Sequence, residues 1–258
     1  MSLREILLNI FKRDIGGPDI TLFGIFHILY FLIIIGVTIL LIFLFNKKDQ
    51  SVKKKLLDIY CLILVGLYLG DFFVHPFIYG DNSLIVDKLP FHLCTIACPL
   101  IALCRIFPSK LKHIRCASTI LGFVGALMYL TCPNGAVGIG VKAFSYTILQ
   151  TFAYHGVLFT YGILALVFGD ITPNIKKIWI ELIMIACLDL ISLGANAAYS
   201  TSEHHYDWFF TTGSSFGMSP YVMPFIMFGI ISLMCLAIYG LYYLFKYKVF
   251  KKKEAIQE

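Results

Sequence analysis

Seven stretches of this chain are apolar almost without interruption, at about residues 21 to 45, 56 to 79, 89 to 107, 115 to 132, 145 to 168, 178 to 199 and 219 to 245, and charged residues gather in the gaps. A run approaching ~20 apolar residues crosses the ~30 Å hydrocarbon core as a helix, and in lipid only helices and closed barrels satisfy every backbone N–H and C=O. The pattern predicts an all-α polytopic membrane protein, a bundle of seven transmembrane helices over 19 to 246. Ahead of it, Leu3, Ile6, Leu7, Ile10 and Phe11 recur at helical spacing, with Arg4, Lys12 and Arg13 elsewhere, and Gly16, Gly17 and Pro18 stop the pattern. Residues 1 to 18 are therefore expected to form a short amphipathic helix on the membrane surface. Residues 247 to 258 read as a basic tail. The first span, at roughly 25 uncharged residues with no small-residue cleavage site after it, exceeds the apolar region of a signal peptide and is expected to stay in the chain.

Composition agrees: 59% of residues are hydrophobic and 14% charged, with a mean hydropathy of +0.83, outside the ordinary soluble range. The net charge of +6 comes with a distribution that gives it meaning. Sixteen of the 21 basic residues fall in the connections after spans one, three and five and in the tail, from Lys47 to Lys55, Arg105 to Arg115, Lys176 and Lys177, and Lys246 to Lys253. By the positive-inside rule these faces are cytoplasmic, which places the C-terminus inside and the N-terminus outside a cell membrane. The opposite loops hold only Lys88 and Lys142, so the charge reads as topology rather than nucleic-acid binding. Eight cysteines scatter through the spans without C-x-x-C spacing, which indicates neither a zinc finger nor a disulfide framework. Only Cys94 and Cys132 lie near the outer surface, where a pairing between them is open.

With the spans oriented, the ~1.5 Å rise per residue gives each polar side chain a depth. His27, Asp71, His75, His92, Cys94, Tyr129, Gln150, His155, Asp189, Ser192 and Asn196 all fall in the outer or middle part of the bundle. Ionisable groups inside a membrane mark functional sites by default, and if these helices face one another they line one polar cavity open to the outer leaflet. Each has a plainer reading too. Asp71 and His75, one turn apart, satisfy each other as a buried pair; His27 snorkels or caps; Tyr129 belongs to the aromatic belt; Asn196 bridges helices. Glu181, near the cytoplasmic face, is expected to be solvated. His155 stands about ten residues into a long span, too deep to reach the interface, where a neutral imidazole can still exchange a proton.

The stretch "LPFHLCTIACP", residues 89 to 99, carries the most chemistry. Pro90 suits a first helical turn, which puts His92 and Cys94 at the positive end of a helix dipole and favours a thiolate. Pro99 is expected to bend the helix just below. His92 and Cys94, two residues apart, point to nearly opposite faces, so a base for Cys94 has to come from another helix, and His155 has comparable depth.

"FGIFH" opening the first span, "LPFHLC" the third, "YHG" in the fifth, and "GANAAY" ending the sixth before "SPYVMP" resemble the YwaF-type seven-span integral membrane proteins, related to animal transmembrane protein 164. The likeness runs from about residue 21 to 230 and rests on the order of the motifs. It departs where members tend to follow the cysteine with an acid, here Thr95, and where a tryptophan-proline motif precedes the last span, here "GMSP". The animal branch is associated with acyl transfer to lysophospholipids through a cysteine and a histidine. The resemblance therefore implies a lipid acyltransferase or acyl hydrolase with Cys94 as acyl acceptor and His155 or His92 as base. His27, Asp71, His75, Tyr129, Gln150, Asp189 and Asn196 would support it, Asn196 or the helix N-terminal amides near His92 holding the oxyanion, with membrane lipid as partner and no cofactor. Two other classes stay open. One is a metal-dependent hydrolase using zinc on Asp71, His75, His92 and His155, although the last span supplies no histidine. The other is a transporter or binding protein without catalysis, although no pair of interrupted spans is visible. The sequence leaves substrate and oligomeric state unassigned.

Overall fold

The computed structural model describes residues 3–11, 16–79, 86, 88–133, 136–201, 205–213 and 217–257. A short helix α1 (Leu3–Ile10) precedes seven longer ones: α2 (Ile25–Phe45), α3 (Gln50–Phe73), α4 (Leu93–Ile106), α5 (Lys112–Thr131), α6 (Tyr146–Val167), α7 (Trp179–Tyr199) and α8 (Met223–Gln257). Each of the seven predicted spans is a helix, and the bundle is all-α. The basic tail continues α8 as helix to Gln257. Lys12 and Arg13 of the predicted surface helix, and the side chains of Arg4 and Ile10, lie outside the described residues.

Among the described residues six helices are long and apolar enough to cross a bilayer; α4 is shorter, at 14 residues. At ~1.5 Å per residue it rises only about 21 Å, short of the hydrocarbon thickness. It starts late because Thr95 closes a cap on it. The Thr95 hydroxyl accepts from the His92 backbone N–H (3.1 Å) and itself donates toward the carbonyls of His92 (3.0 Å) and Leu89 (3.2 Å). That is the reach-back an acid at the third helical position makes in a capping box, so Thr95 fills the role left in doubt by the missing acid. Pro99 lies inside α4 without ending it.

Helices α5 and α6 form the centre; α6 packs on α2, α3 and α5, and α5 also meets α4, α7 and α8. Small residues allow the close approach expected where lipid supplies no hydrophobic drive between helices. A Cβ on Gly156 would sit 2.8 Å from Ile34 of α2, and one on Gly125 would sit 3.1 Å from the Cys94 backbone nitrogen. Helix α2 is peripheral and lipid-facing, with only His27 and Thr38 buried. Polar contacts fix its rotation, since apolar side chains do not distinguish lipid from neighbour: Thr38 to Thr160 (2.9 Å) and Tyr30 to the Ala143 carbonyl (2.8 Å).

Helix α1, the π-helical turn Val74–Tyr79 after α3, and the loops before α4, α6 and α8 lie at one end of the bundle. Here Phe11 sits edge-on to Tyr146, and the 16–24 and 136–145 loops clasp through an isolated bridge between Asp19 and Lys142. Asp19 accepts from the Gly140 N–H (3.0 Å) and from Lys142 Nζ (2.8 Å), which hold its carboxyl below the usual carboxylate range, the backbone N–H more than the lysine. The opposite, lysine-rich end carries an ion network: Arg105 binds Asp58 and Asp170 (3.0 Å), and Arg115 also binds Asp170. All eight cysteines are free, so Cys94 and Cys132 are not paired.

Candidate functional site

The first turn of α4 faces α5 and α6 at the lysine-poor end. Gly125 lets α5 meet α4 at Leu93 and Cys94, and the Tyr154 hydroxyl of α6 donates to the Cys94 carbonyl (2.8 Å). One turn beyond Gly125, the Tyr129 ring lies flat on His155, centroids 3.7 Å apart and planes 11° from parallel. The Tyr129–His155 stack thus lies next to the helix start that bears Cys94, which is half-buried.

Backbone partners fix the tautomer of His155. Its Nδ1 is 2.8 Å from the Thr151 carbonyl, which only accepts, so Nδ1 carries the proton. Nε2 then presents a lone pair, and it is buried with no hydrogen-bond partner; the Tyr129 hydroxyl beside it is also buried and unpartnered. Burying such groups without partners costs free energy, so they mark a place built to meet something. Cys94 does not hydrogen-bond Nε2 in this geometry.

The other histidines are engaged differently. His92, the N-cap of α4, accepts the Phe209 N–H on Nδ1 (3.0 Å), so the lone pair that would make it a base is occupied. His27 accepts the Phe23 N–H (3.0 Å) and sets Nε2 against the Leu130 carbonyl (2.9 Å); both nitrogens serve backbone, and it pins α2 to α5.

Asn196 does not hold an oxyanion. Its Nδ2 donates to the Trp208 carbonyl (3.0 Å) and Thr211 Oγ1 (2.8 Å), and its Oδ1 accepts the Trp208 N–H (2.9 Å). Both ends of the amide therefore hold a buried 3₁₀ turn, Trp208–Phe210, in which Phe209 and Phe210 have left-handed φ of 56° and 58°. With Ser192 donating to the Phe91 carbonyl (2.8 Å), these bonds seat irregular backbone beside the late start of α4. Non-helical backbone is tolerated at membrane depth only where protein covers it and its polar groups are matched.

Gln150 likewise bridges helices, its Nε2 on the Leu67 carbonyl of α3 (3.2 Å). Asp189 is buried on α7 with Oδ1 unpartnered, and nothing in the structure explains that atom. The expected single cavity therefore resolves into a small cluster, with several of its supposed lining residues acting as helix ties. Glu181 is not solvated: it is 1% exposed, accepting from Tyr239 (2.5 Å).

Asp71 pairs with Lys88 (2.9 Å) and accepts from the Tyr146 hydroxyl (3.2 Å). The side chain of His75, the expected partner, lies outside the described residues. Lys88 reads in the sequence as a stray loop cation, yet it is the partner of the buried Asp71, and Tyr68 fixes its carbonyl (2.9 Å). The signal available was its place one residue before "LPFHLC". Among the described residues no three His, Cys, Asp or Glu side chains come together as a metal site.

A family model described as the TMEM164 family matches residues 22–247 of the chain. No curated protein and no solved structure matches it.

Proposed function

The chain belongs to the TMEM164 family, and on that footing we propose that it is a membrane-embedded acyl-transfer enzyme with Cys94 as nucleophile and His155 as base. One observation carries the reading: His155 is locked as the Nδ1–H tautomer with its Nε2 lone pair buried and unpartnered, beside the helix start that bears Cys94. A structural histidine has both nitrogens matched, as His27 does.

In the first step the Cys94 sulfur attacks an ester carbonyl while His155 Nε2 takes the thiol proton. The oxyanion meets the positive end of α4 and the Tyr129 hydroxyl, which is buried there without another partner. Collapse breaks the ester bond, the leaving alkoxide takes the proton from His155, and a Cys94 thioester remains. An acceptor hydroxyl, or water, then gives its proton to Nε2 and attacks the thioester, which returns the thiol. The lysine-poor end faces outside, so acyl chains reach the site sideways from that leaflet.

The test uses purified protein in nanodiscs with a phospholipid carrying a labelled acyl chain, chased with lysophospholipid. Expected is a hydroxylamine-sensitive acyl-protein that Cys94→Ala abolishes, with His155→Ala lowering turnover about 10²–10⁴-fold. Turnover undiminished in Cys94→Ala sinks the mechanism.

A further inference from the structure

The lysine-rich end holds a second polar site that the acyl-transfer reading does not use. A cavity of about 250 Å³ opens between the start of α5, the 170–174 loop, the start of α7 and α8, lined among others by Lys112, Arg115, Asp170, Lys177, Glu181 and Tyr239. Its two walls differ in charge. At the rim Lys112 and Lys177 are exposed, and α5 begins there on Leu111, with no side chain capping its first N–H groups. Arg115 gives one end of its guanidinium to Asp170, but its Nε is buried with no acceptor. Asp170 is itself matched by Arg105 and Arg115, so it does not neutralise the lysines. The rim therefore offers an anion several donors: two ammonium groups, the first amides of a 20-residue helix and a free guanidinium N–H.

The floor is the reverse. Glu181 is 1% exposed; Tyr239 donates to its Oε1 (2.5 Å), and Oε2 is buried with no partner. A buried carboxyl oxygen lining a cavity and left unmatched is costly unless a donor arrives to meet it.

We propose that this pocket binds a small zwitterion, with a tetrahedral oxyanion, phosphate or sulfonate, at the rim and a primary ammonium a short arm away on Glu181. The volume agrees. A cavity of about 250 Å³ has room for an oxyanion with a two-carbon amine arm. A simple anion leaves Glu181 unmatched, and a simple amine leaves the rim unmatched.

The test is calorimetric titration of the full chain in nanodiscs with phosphoethanolamine, taurine, inorganic phosphate and ethylamine. Expected is binding of phosphoethanolamine or taurine at least about tenfold tighter than of phosphate or ethylamine, the effect of one charge-assisted bond gained. The stronger of the two zwitterions identifies the oxyanion as phosphate or sulfonate. In Glu181→Gln the advantage over phosphate disappears; in Lys112→Gln/Lys177→Gln all anions weaken and lose salt dependence. Equal affinity of phosphate and both zwitterions in the unaltered protein overturns the assignment without any variant, and so does absence of binding by all four. Loss of acyl transfer in Cys94→Ala leaves this result untouched, since the two sites lie at opposite ends of the bundle.

Discussion

Replacing Asn196 by leucine keeps the side chain's shape and removes three hydrogen bonds, to the Trp208 N–H, the Trp208 carbonyl and the Thr211 hydroxyl. In membrane bundles such a bond is worth about 0.6 kcal/mol on average, so the three together contribute about 2 kcal/mol. Two corrections oppose each other. The buried Trp208 N–H is left without an acceptor, which adds to the loss. Release of Phe209 and Phe210 from left-handed φ returns part of it. The net of about 2 kcal/mol corresponds to a fall of about 4–8 °C in Tm for a chain of this size. The protein supplies its own reporter, because it has two tryptophans and only Trp208 is buried, Trp179 being 56% exposed. In a Trp179→Phe background, thermal unfolding in detergent followed by emission should show the lower Tm and a red-shifted native spectrum for Asn196→Leu. An unchanged spectrum with Tm within about 1 °C refutes the reading of Asn196 as a tie, and loss of turnover under those same conditions would restore it to the chemistry.

Two further outcomes follow from the packing and the charges. Gly125→Val brings Cβ within 3.1 Å of the Cys94 nitrogen and 3.3 Å of Leu93 Cβ; backbone cannot yield cheaply, so α4 shifts, stability falls by about 1–3 kcal/mol and turnover drops, read as Tm and rate in parallel. Asp19, with its folded pKa depressed by the Gly140 N–H and Lys142, contributes stability that is present above its ordinary value near 3.8 and is lost as pH falls through the lower folded value. Unfolding midpoints taken across that acid window should show a decline that Asp19→Asn flattens, and an identical decline in the variant assigns it elsewhere.

Residue order along an axis was legible; rotation about it was not. Uninterrupted apolar runs fix where helices cross, because length and backbone satisfaction decide that locally. They fix height too, which is why Cys94 and His155 stand out at one level before any contact is known. Which face each helix turns inward depends on neighbours, so Asn196 and Gln150, at plausible height, are found tied to backbone instead of facing the site. Lys88 reads only as a topology signal because a lone loop cation carries no periodicity, and Glu181 reads as solvated because its partner Tyr239 lies 58 residues away. The late start of α4 was hidden because Pro90 reads as a first-turn residue, whereas the cap formed by His92 and the Thr95 hydroxyl sets the boundary at Leu93.

The brevity of α4 bears on how the chain is made. Fourteen residues containing a proline do not hold themselves across a bilayer by hydrophobicity. Its irregular approach has matched polar groups only when α7 and the 208–211 turn, more than a hundred residues downstream, are in place. During synthesis the third crossing is therefore a provisional one, and nascent chains halted before α7 emerges should leave Cys94 accessible to aqueous thiol reagents that later lengths exclude.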